Sequence, residues 1–355
     1  MMRPKYDDNN RWWVETMKFR TNLVCAIATC LTSIAIGAHA TNGVTSNVAM
    51  DAQCLAPAKP GGGMDVTCKL IQSGLRLKSA HNYKDQHNEI PFRISYMPGG
   101  IGAVAWNSIV TQRGAEAQTL VAFSSGSLIN LAQGKYGRAD ADNVRWVAAI
   151  GADYGMIAVR SDSPYKNLHD LMQALKDDPS KLTIGASGTV GSQDWIKVSL
   201  LARQSDIDPK SLRFVAFEAG GESFTALRAG HVQVVSGDAS EATLHVRDGQ
   251  IRILAILSDS RLPGALANVP TAREQGMNVS WPIIRGVYMG PQVSDADYHR
   301  WVAIFDQMMA TPAFNRLRAG SGLYPFSMSG DALTDYIRKT VDRYGQLTSA
   351  LGLVR

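Results

Sequence analysis

The alternation of short apolar runs with helix-periodic segments is the feature of this sequence that most limits its fold. Apolar runs typical of buried strands occur at 53–56, 92–96, 120–123, 156–159, 182–185, 214–217, 232–235 and 251–257. Amphipathic helical patterns follow several of them, for example at 103–110 and 168–175. Strand and helix repeated in this order favour an α/β protein with mostly parallel sheets. With 355 residues and 45% hydrophobic content, the chain is long enough to bury two such sheets.

The N-terminal residues predict export. Lys18 and Arg20 precede an apolar stretch at 23–36, which ends at the small-residue site Ala38-His39-Ala40. This order is typical of a secretory signal peptide, and the stretch is shorter than the roughly 20 apolar residues of a membrane-spanning helix. We therefore expect residues 1–40 to be an extension with a signal peptide and the remaining chain to reach the periplasm.

Two cysteines remain after the predicted leader, Cys54 and Cys68. An even pair in an exported chain favours a disulfide. Two buried free thiols are the alternative, because the sequence does not give the distance between the Cα atoms that a bridge requires.

Charge and histidine spacing exclude several function classes. The formal net charge is only +5, and no cluster of lysine and arginine with interleaved aromatic residues marks a nucleic-acid surface. The histidines lie far apart, without the spacing of metal ligands. We predict no nucleic-acid partner, no metal and no cofactor.

Four turns rich in glycine and serine stand between a predicted strand and the helix after it, at 60–65, 98–102, 124–127 and 185–193. In open α/β sheets, ligands sit beyond the carboxyl ends of the strands, where the first N–H groups of helices favour an anion. Glycine allows a close approach of the backbone, and serine and threonine hydroxyls add donors. Any one of these turns is equally explained as a tight connection, but four together predict an anion pocket. The ligand-binding residues predicted from these turns are Pro60, Gly61, Gly62, Gly63, Ser124, Ser125, Ser127, Ser187, Gly188, Thr189, Val190, Gly191, Ser192 and Gln193.

Two basic residues are the predicted charged partners of a carboxylate ligand, Lys59 beside the triple-glycine turn and Arg285. Arginine can bind a carboxylate through two parallel hydrogen bonds. The alternatives are a solvated loop lysine and an interior ion pair, respectively. Asp65 and Asp238 join the candidate site with supporting roles, Asp65 capping the first helix and Asp238 orienting a loop, because a bare carboxylate would repel an anionic ligand.

Enzyme motifs are incomplete. Gly100-x-Gly102-x-x-Ala105 matches a dinucleotide fingerprint formally, but the next strand ends without the acidic residue that would bind a ribose. No Gly-Lys-Ser/Thr closes a phosphate loop after Gly63. The turn at 185–189 is placed like a hydrolase nucleophile elbow, yet it has Thr189 where the last glycine is needed. We predict that the chain is not an enzyme.

An ordered set of motifs resembles the solute-binding subunits of tripartite tricarboxylate transporters. The stretch Ala56-Pro57-Ala58-Lys59-Pro60-Gly61-Gly62-Gly63-Met64-Asp65 is followed by Met97-Pro98-Gly99-Gly100-Ile101-Gly102. Further matches in order and spacing lie at 123–127, 163–166, 185–194, 234–238, 262–263, 269–271 and 288–291. The likeness covers essentially the whole chain after the leader and is greater to the citrate-type branch, although Met64 stands where threonine or phenylalanine is frequent.

The resemblance implies a two-lobed clamshell of the periplasmic binding-protein type that closes on its ligand by a hinge motion. It implies one lobe of residues 41–155 with 260–355 and a second of 156–259. Residues 60–63 and 187–193 would hold the ligand carboxylates through backbone amides, hydroxyls and bridging waters. The implied ligand is citrate or a related carboxylate, and the implied partners are the large and small integral-membrane subunits of an uptake transporter. A sensory or interaction protein with the same clamshell, or an enzyme acting on a small organic acid, are the alternatives.

Overall fold

Strands and helices alternate along the chain. The computed structural model describes residues 52–81, 91–246 and 248–353, and the predicted leader lies outside these residues. The strands are β1 (Ala52–Ala56), β2 (Phe92–Tyr96), β3 (Thr119–Ser124), β4 (Arg145–Arg160), β5 (Thr183–Ser187), β6 (Arg213–Phe217), β7 (Val234–Asp238), β8 (Ile251–Leu257), β9 (Pro282–Met289) and β10 (Met328–Ser329). The helices are α1 (Gly63–His81), α2 (Ala103–Thr111), α3 (Ser125–Ala132), α4 (Leu168–Asp177), α5 (Gln193–Gln204), α6 (Gly220–Arg228), α7 (Ala239–Val246), α8 (Asp295–Met309), α9 (Pro312–Gly320) and α10 (Gly330–Ala350).

The strands form one mixed sheet in the order β2-β1-β3-β9-β4-β7-β5-β6, and β8 and β10 each pair with β4. The outer pairs are parallel: β1 lies between β2 and β3, and β5 between β6 and β7. Every pair that the described strands make with β4 or β9 is antiparallel. The α/β class is confirmed, but the pairing is mixed rather than mostly parallel, because these two central strands run against their neighbours.

The long strand β4 changes partners halfway. Residues 145–154 pair with β9, whereas residues 155–160 pair with β7 and β8. The parallel units of the first and middle parts of the chain are therefore connected through one continuous strand. A division into lobes of 41–155 with 260–355 and of 156–259 stays a proposal.

Among the described residues, two separate groups of buried apolar side chains pack against the sheet. One packs α1, α8 and α9 against the first strands and contains Leu70, Trp301 and Phe314. The other packs α6 and α7 against β7 and β8 and contains Phe224 and Ile256. Burying a large apolar side chain contributes about 1.5–3 kcal/mol, so each group holds its own helices on the sheet. Within the described ranges, no helix combines the length and the apolar content needed to cross a membrane.

A disulfide joins β1 to α1. Cys54 and Cys68 are bonded with their Cα atoms 5.5 Å apart, and both side chains are fully buried. The bridge encloses the turn at 60–63, so it fixes the entry and exit of the chain around the first predicted ligand loop.

Replacing both cysteines with alanine is expected to lower the free energy of unfolding by about 3 kcal/mol, because the bridge closes a loop of about 15 residues in the unfolded chain. Denaturant unfolding with and without dithiothreitol measures this. The reductant should destabilise the native protein and leave the double variant unchanged. Equal stability of the native protein in both conditions would show that the bridge contributes nothing.

Candidate functional site

A cleft with a volume of about 80 Å³ lies where turns from both sides of the sheet meet. Its wall contains Pro57, Ala58, Gly62, Gly63, Met64, Ile101, Gly102, Ser124, Gly126, Ser127, Asn130, Ser187, Ser192, Gln193, Asp194, Glu218, Ala219, Gly220, Asp238, Glu241 and Arg285. We call these residues the cleft wall. Within the described part of the chain, no group of histidine, cysteine and acidic residues is arranged to hold a metal ion.

Six helices begin at the cleft wall: α1, α2, α3, α5, α6 and α7. Their first N–H groups and dipoles favour negative charge. Four of these helices carry an acidic residue in the first turn, namely Asp65, Asp194, Glu222 and Glu241. Helices α2 and α3 carry none. The cap of α3 is Ser124, whose Oγ accepts from the Gly126 N–H at 3.2 Å. The starts of α2 and α3 are thus the two positions at the cleft wall where a helix dipole faces no acidic residue of its own helix.

Arg285 of β9 lies in the cleft wall with its charge already paired. Its Nη2 lies 2.6 Å from Oδ2 of Asp153 and 2.6 Å from Oδ2 of Asp238, and its side chain is almost fully buried. A Cβ on Gly63 would collide with this guanidinium, so only glycine fits where the first turn passes over Arg285. The structure gives Arg285 the interior ion pair named above as its alternative role.

Lys197 of α5 joins the buried ion pairs around Arg285 through Asp238. Its Nζ is 2.7 Å from Oδ1 of Asp194 and 2.8 Å from Oδ1 of Asp238, and it also donates to the Gly237 carbonyl at 2.6 Å. Asp238 therefore lies between two buried cations. Such pairs cost desolvation energy that their attraction offsets only when the geometry is good.

The burial of these charges shifts their pKa values in opposite directions. Burial alone would raise the pKa of Asp238, but Lys197 and Arg285 outweigh it and lower the pKa of that carboxyl. Burial raises the pKa of Asp194 to about 6 despite the charge of Lys197. Burial also opposes the charges of Lys197 and Arg285, yet their carboxylate neighbours raise the pKa of both. Both cations are therefore charged at neutral pH.

The side chain of Glu241, in the first turn of helix α7, contacts the glycine turn at 60–63. Its Oε1 accepts from the Gly63 N–H at 2.6 Å, and its side chain is almost fully buried. A Cβ on Gly220 would collide with its Oε2. Burial, with the nearby charge of Asp238, raises the pKa of Glu241 to about 8. The carboxyl group of Glu241 thus already accepts the hydrogen bond of a backbone amide, that of Gly63, which the resemblance assigns to the ligand.

Half of the residues predicted from the sequence lie in the cleft wall. These are Gly62, Gly63, Ser124, Ser127, Ser187, Ser192, Gln193, Asp238 and Arg285. The others lie beside it: Lys59, Pro60, Gly61, Asp65, Ser125, Gly188, Thr189, Val190 and Gly191. Pro60 and Gly61 line a second, more open cavity together with His231 and His245.

The residues beside the cleft wall hold its turns in place. Lys59 is half exposed and pairs with Glu222 at 2.6 Å. The Oδ2 of Asp65 accepts from the Gly61 N–H at 2.8 Å, so this carboxylate binds the turn in front of α1. The Ser125 Oγ accepts from the Ile284 N–H at 3.0 Å. None of these contacts gives a ligand an unpaired positive charge.

The sequence analysis missed Asn130, Asp153, Lys197 and Glu241. Glu241 carries a signal that could have revealed it, because it stands in the first turn of a helix that directly follows a predicted strand, as Asp65 does. Lys197 and Asp153 carry none. Their roles depend on partners 41 and 132 residues away in the chain.

The mixed α/β sheet with a cleft at its helix starts is the fold of solved periplasmic binding proteins. MatC (Rpa3494) from Rhodopseudomonas palustris with bound malate aligns with a TM-score of 0.70 at 18% identity, covering 83% of this chain and 98% of that one. The periplasmic binding protein BugD aligns with a TM-score of 0.73 at 15% identity, covering 85% and 98%. Rpa4515 of R. palustris with adipate gives 0.72 at 17% identity, covering 85% and 97%.

The family model of the tripartite tricarboxylate transporter family receptor matches residues 123–353, and the chain belongs to this family. The resemblance seen in the motifs is therefore confirmed. A UPF0065 protein of Bordetella pertussis is 24% identical over 213 residues, which are 60% of this chain and 64% of that relative. A UPF0065 protein of a Pseudomonas species is 20% identical over 299 residues, 82% of this chain and 84% of that relative. The chain spans just under two thirds of the first of these relatives. Membership in a receptor family agrees with the prediction of binding without turnover.

Proposed function

We propose that this protein is the periplasmic solute-binding subunit of a tripartite tricarboxylate uptake transporter and that it holds a small carboxylate in the cleft. The observation that carries the proposal is the meeting of six helix starts at the cleft wall, since their N–H groups favour an anion. The start of α3, with Ser124, Gly126 and Ser127, is the proposed carboxylate position. Citrate and related di- and tricarboxylates are the candidate ligands.

The family and the neighbours support this class of ligand. The matching family is one of transporter receptors, and two proteins with this fold are described with malate and with adipate bound. Transport requires the large and small membrane subunits as partners, and a signal peptide within residues 1–40 would deliver the chain to the periplasm.

Isothermal titration calorimetry of residues 41–355 against citrate, malate, succinate and adipate tests the binding role. A ligand present at about 100 times its dissociation constant should add about 2.7 kcal/mol to the free energy of unfolding. The ligand should be recovered unchanged.

A matched pair of variants ties binding to the cleft. Ser187 lines the cleft wall, whereas Val215 is 38% exposed on strand β6 and is not part of the wall. Ser187→Tyr should abolish binding and Val215→Tyr should leave it intact, although both add the same ring. Equal binding by the two variants would place the ligand elsewhere.

A further inference from the structure

The cleft borders a buried cluster that holds more carboxyl groups than cations. Its described members are the acids Asp153, Asp194, Asp238 and Glu241 and the cations Lys197 and Arg285. The ion pairs of both cations are made with the three aspartates. If all four acids were ionised, the cluster would hold two unbalanced negative charges before any ligand entered the cleft.

Glu241 is the acid of this cluster to which no described residue supplies an ion pair. Its Oε1 accepts from the Gly63 N–H at 2.6 Å, and the residue is only 5% exposed. Arg285 lies close by, since a Cβ on Gly63 would collide with its guanidinium, but its ion pairs go to Asp153 and Asp238. A buried carboxyl group without a bonded cation favours its protonated form.

The elements packed against α7 do not change this balance. They are α1, α6, β4, β7 and β8. His245 of α7 and Tyr154 of β4 are uncharged at pH 7.5, because burial lowers the pKa of the histidine and raises that of the tyrosine. Charged groups on these elements have partners of their own: Asp65 pairs with Lys69, Glu222 with Lys59, Arg160 with Asp162, Arg228 with Asp248, and Arg252 donates to backbone carbonyls.

A carboxylate ligand would add negative charge next to Glu241. The cleft has a volume of only about 80 Å³, and Glu241 is part of its wall, so the ligand anion lies close to this carboxyl group. A like charge at short range favours the protonated form of the acid. Protonation also changes the hydrogen bonding of Glu241, because an ionised carboxylate only accepts, whereas a carboxylic acid donates one hydrogen bond. Since Oε1 already accepts from Gly63, the proton belongs on Oε2.

Resting on the proposed function, we propose that the cleft binds its carboxylate ligand together with one proton, which Glu241 holds. The protonated Oε2 donates to the ligand carboxylate. The free protein already holds this proton at neutral pH, because burial, with the nearby charge of Asp238, raises the pKa of Glu241 to about 8. At higher pH the free protein has lost the proton and must take it up again when the ligand binds. The affinity therefore falls as the pH rises above this value and is constant below it.

Calorimetric titration of the purified protein with citrate, malate, succinate and adipate at pH 7.5 and pH 9.5 tests this proposal. The carboxyl groups of these acids are ionised throughout this range. The affinity of an acid that binds should fall by about tenfold or more between the two pH values. Titration at pH 9 in buffers of different ionisation enthalpy should show the uptake of about one proton per ligand. Glu241→Gln has no proton to exchange and should show neither the fall nor the uptake.

Glu222→Gln is the matched control, because Glu222 pairs with Lys59 outside the cleft wall. Lys59 lowers the pKa of Glu222, so this group is ionised at both pH values and its variant should keep the fall and the uptake of the native protein. Thermal unfolding at both pH values shows that each variant is folded.

The outcomes separate this proposal from the proposed function. An acid that binds the native protein equally well at both pH values, without proton uptake, would refute the proton and leave the proposed function standing. A fall and an uptake that persist in Glu241→Gln would place the proton on another group and refute the role of Glu241. If none of the acids binds at pH 7.5, the proposed function is wrong and this proposal fails with it.

Discussion

Replacing Arg285 with methionine is expected to lower the free energy of unfolding by about 3–5 kcal/mol, because the change removes one partner of a buried ion-pair network. Asp153 is fully buried and would keep only the Ser240 and Tyr154 donors. Asp238 would keep Lys197. Denaturant unfolding at pH 7 measures the loss.

Two further variants separate this effect from the loss of any arginine. Arg338 forms an exposed pair with Asp142 at 2.8 Å, and Arg338→Met should cost less than about 1 kcal/mol. Adding Asp153→Asn to Arg285→Met should restore part of the stability, because the uncompensated charge is removed. If Arg285→Met instead leaves stability unchanged and abolishes ligand binding, the arginine binds the ligand carboxylate, as the sequence analysis predicted.

Local patterns predicted most elements of the fold. The run at 92–96 is strand β2, and the helical pattern at 168–175 lies within α4. Both signals are contained in about ten residues, because apolar spacing follows directly from the repeat of a strand or helix. The same reasoning placed the glycine and serine turns next to helix starts, where the structure has them.

The central strands could not be predicted in this way. Only 156–159 of β4 was predicted, and β9 was not, although both carry apolar residues. Asp153 interrupts the apolar pattern of β4, and Arg285 interrupts that of β9. Each is buried because the other neutralises it across a distance of 132 residues in the chain. When a buried charge is neutralised by a residue far away in the chain, the local spacing of apolar residues does not reveal it.

The functional site was predicted only in part, for the same reason. The residue types of the turns at 60–63 and 187–193 were predicted, but which groups point into the cleft depends on how the turns meet. Lys59 was predicted to serve the ligand, and this stays a prediction; in the structure its ammonium pairs with Glu222, a contact that the sequence did not indicate. Glu241 was not predicted as a site residue. It accepts a hydrogen bond from the Gly63 N–H, although the two residues lie 178 positions apart in the chain.

Glu241→Gln is expected to change how stability depends on pH. In the folded protein the pKa of Glu241 is raised from 4.5 to about 8, first by burial and then by Asp238, with Asp194 and Asp153 adding to the shift and Arg285 opposing it. Between these two values the folded state keeps the proton that the unfolded state loses. The free energy of unfolding should therefore fall as the pH rises through this window, and level off above it.

The glutamine variant has no such proton to keep. Relative to the native protein, its free energy of unfolding should rise by on the order of 3 kcal/mol between pH 5 and pH 8. Asp194, with a pKa raised to about 6, adds a fall of the same sign in both proteins, so the comparison rests on the difference between the two curves. Glu222→Gln is the matched control, because Lys59 lowers the pKa of Glu222 and this group titrates below the window. Parallel curves for the native protein and Glu241→Gln from pH 5 to 8 would mean that Glu241 is ionised in the folded protein across this range, which would contradict the prediction.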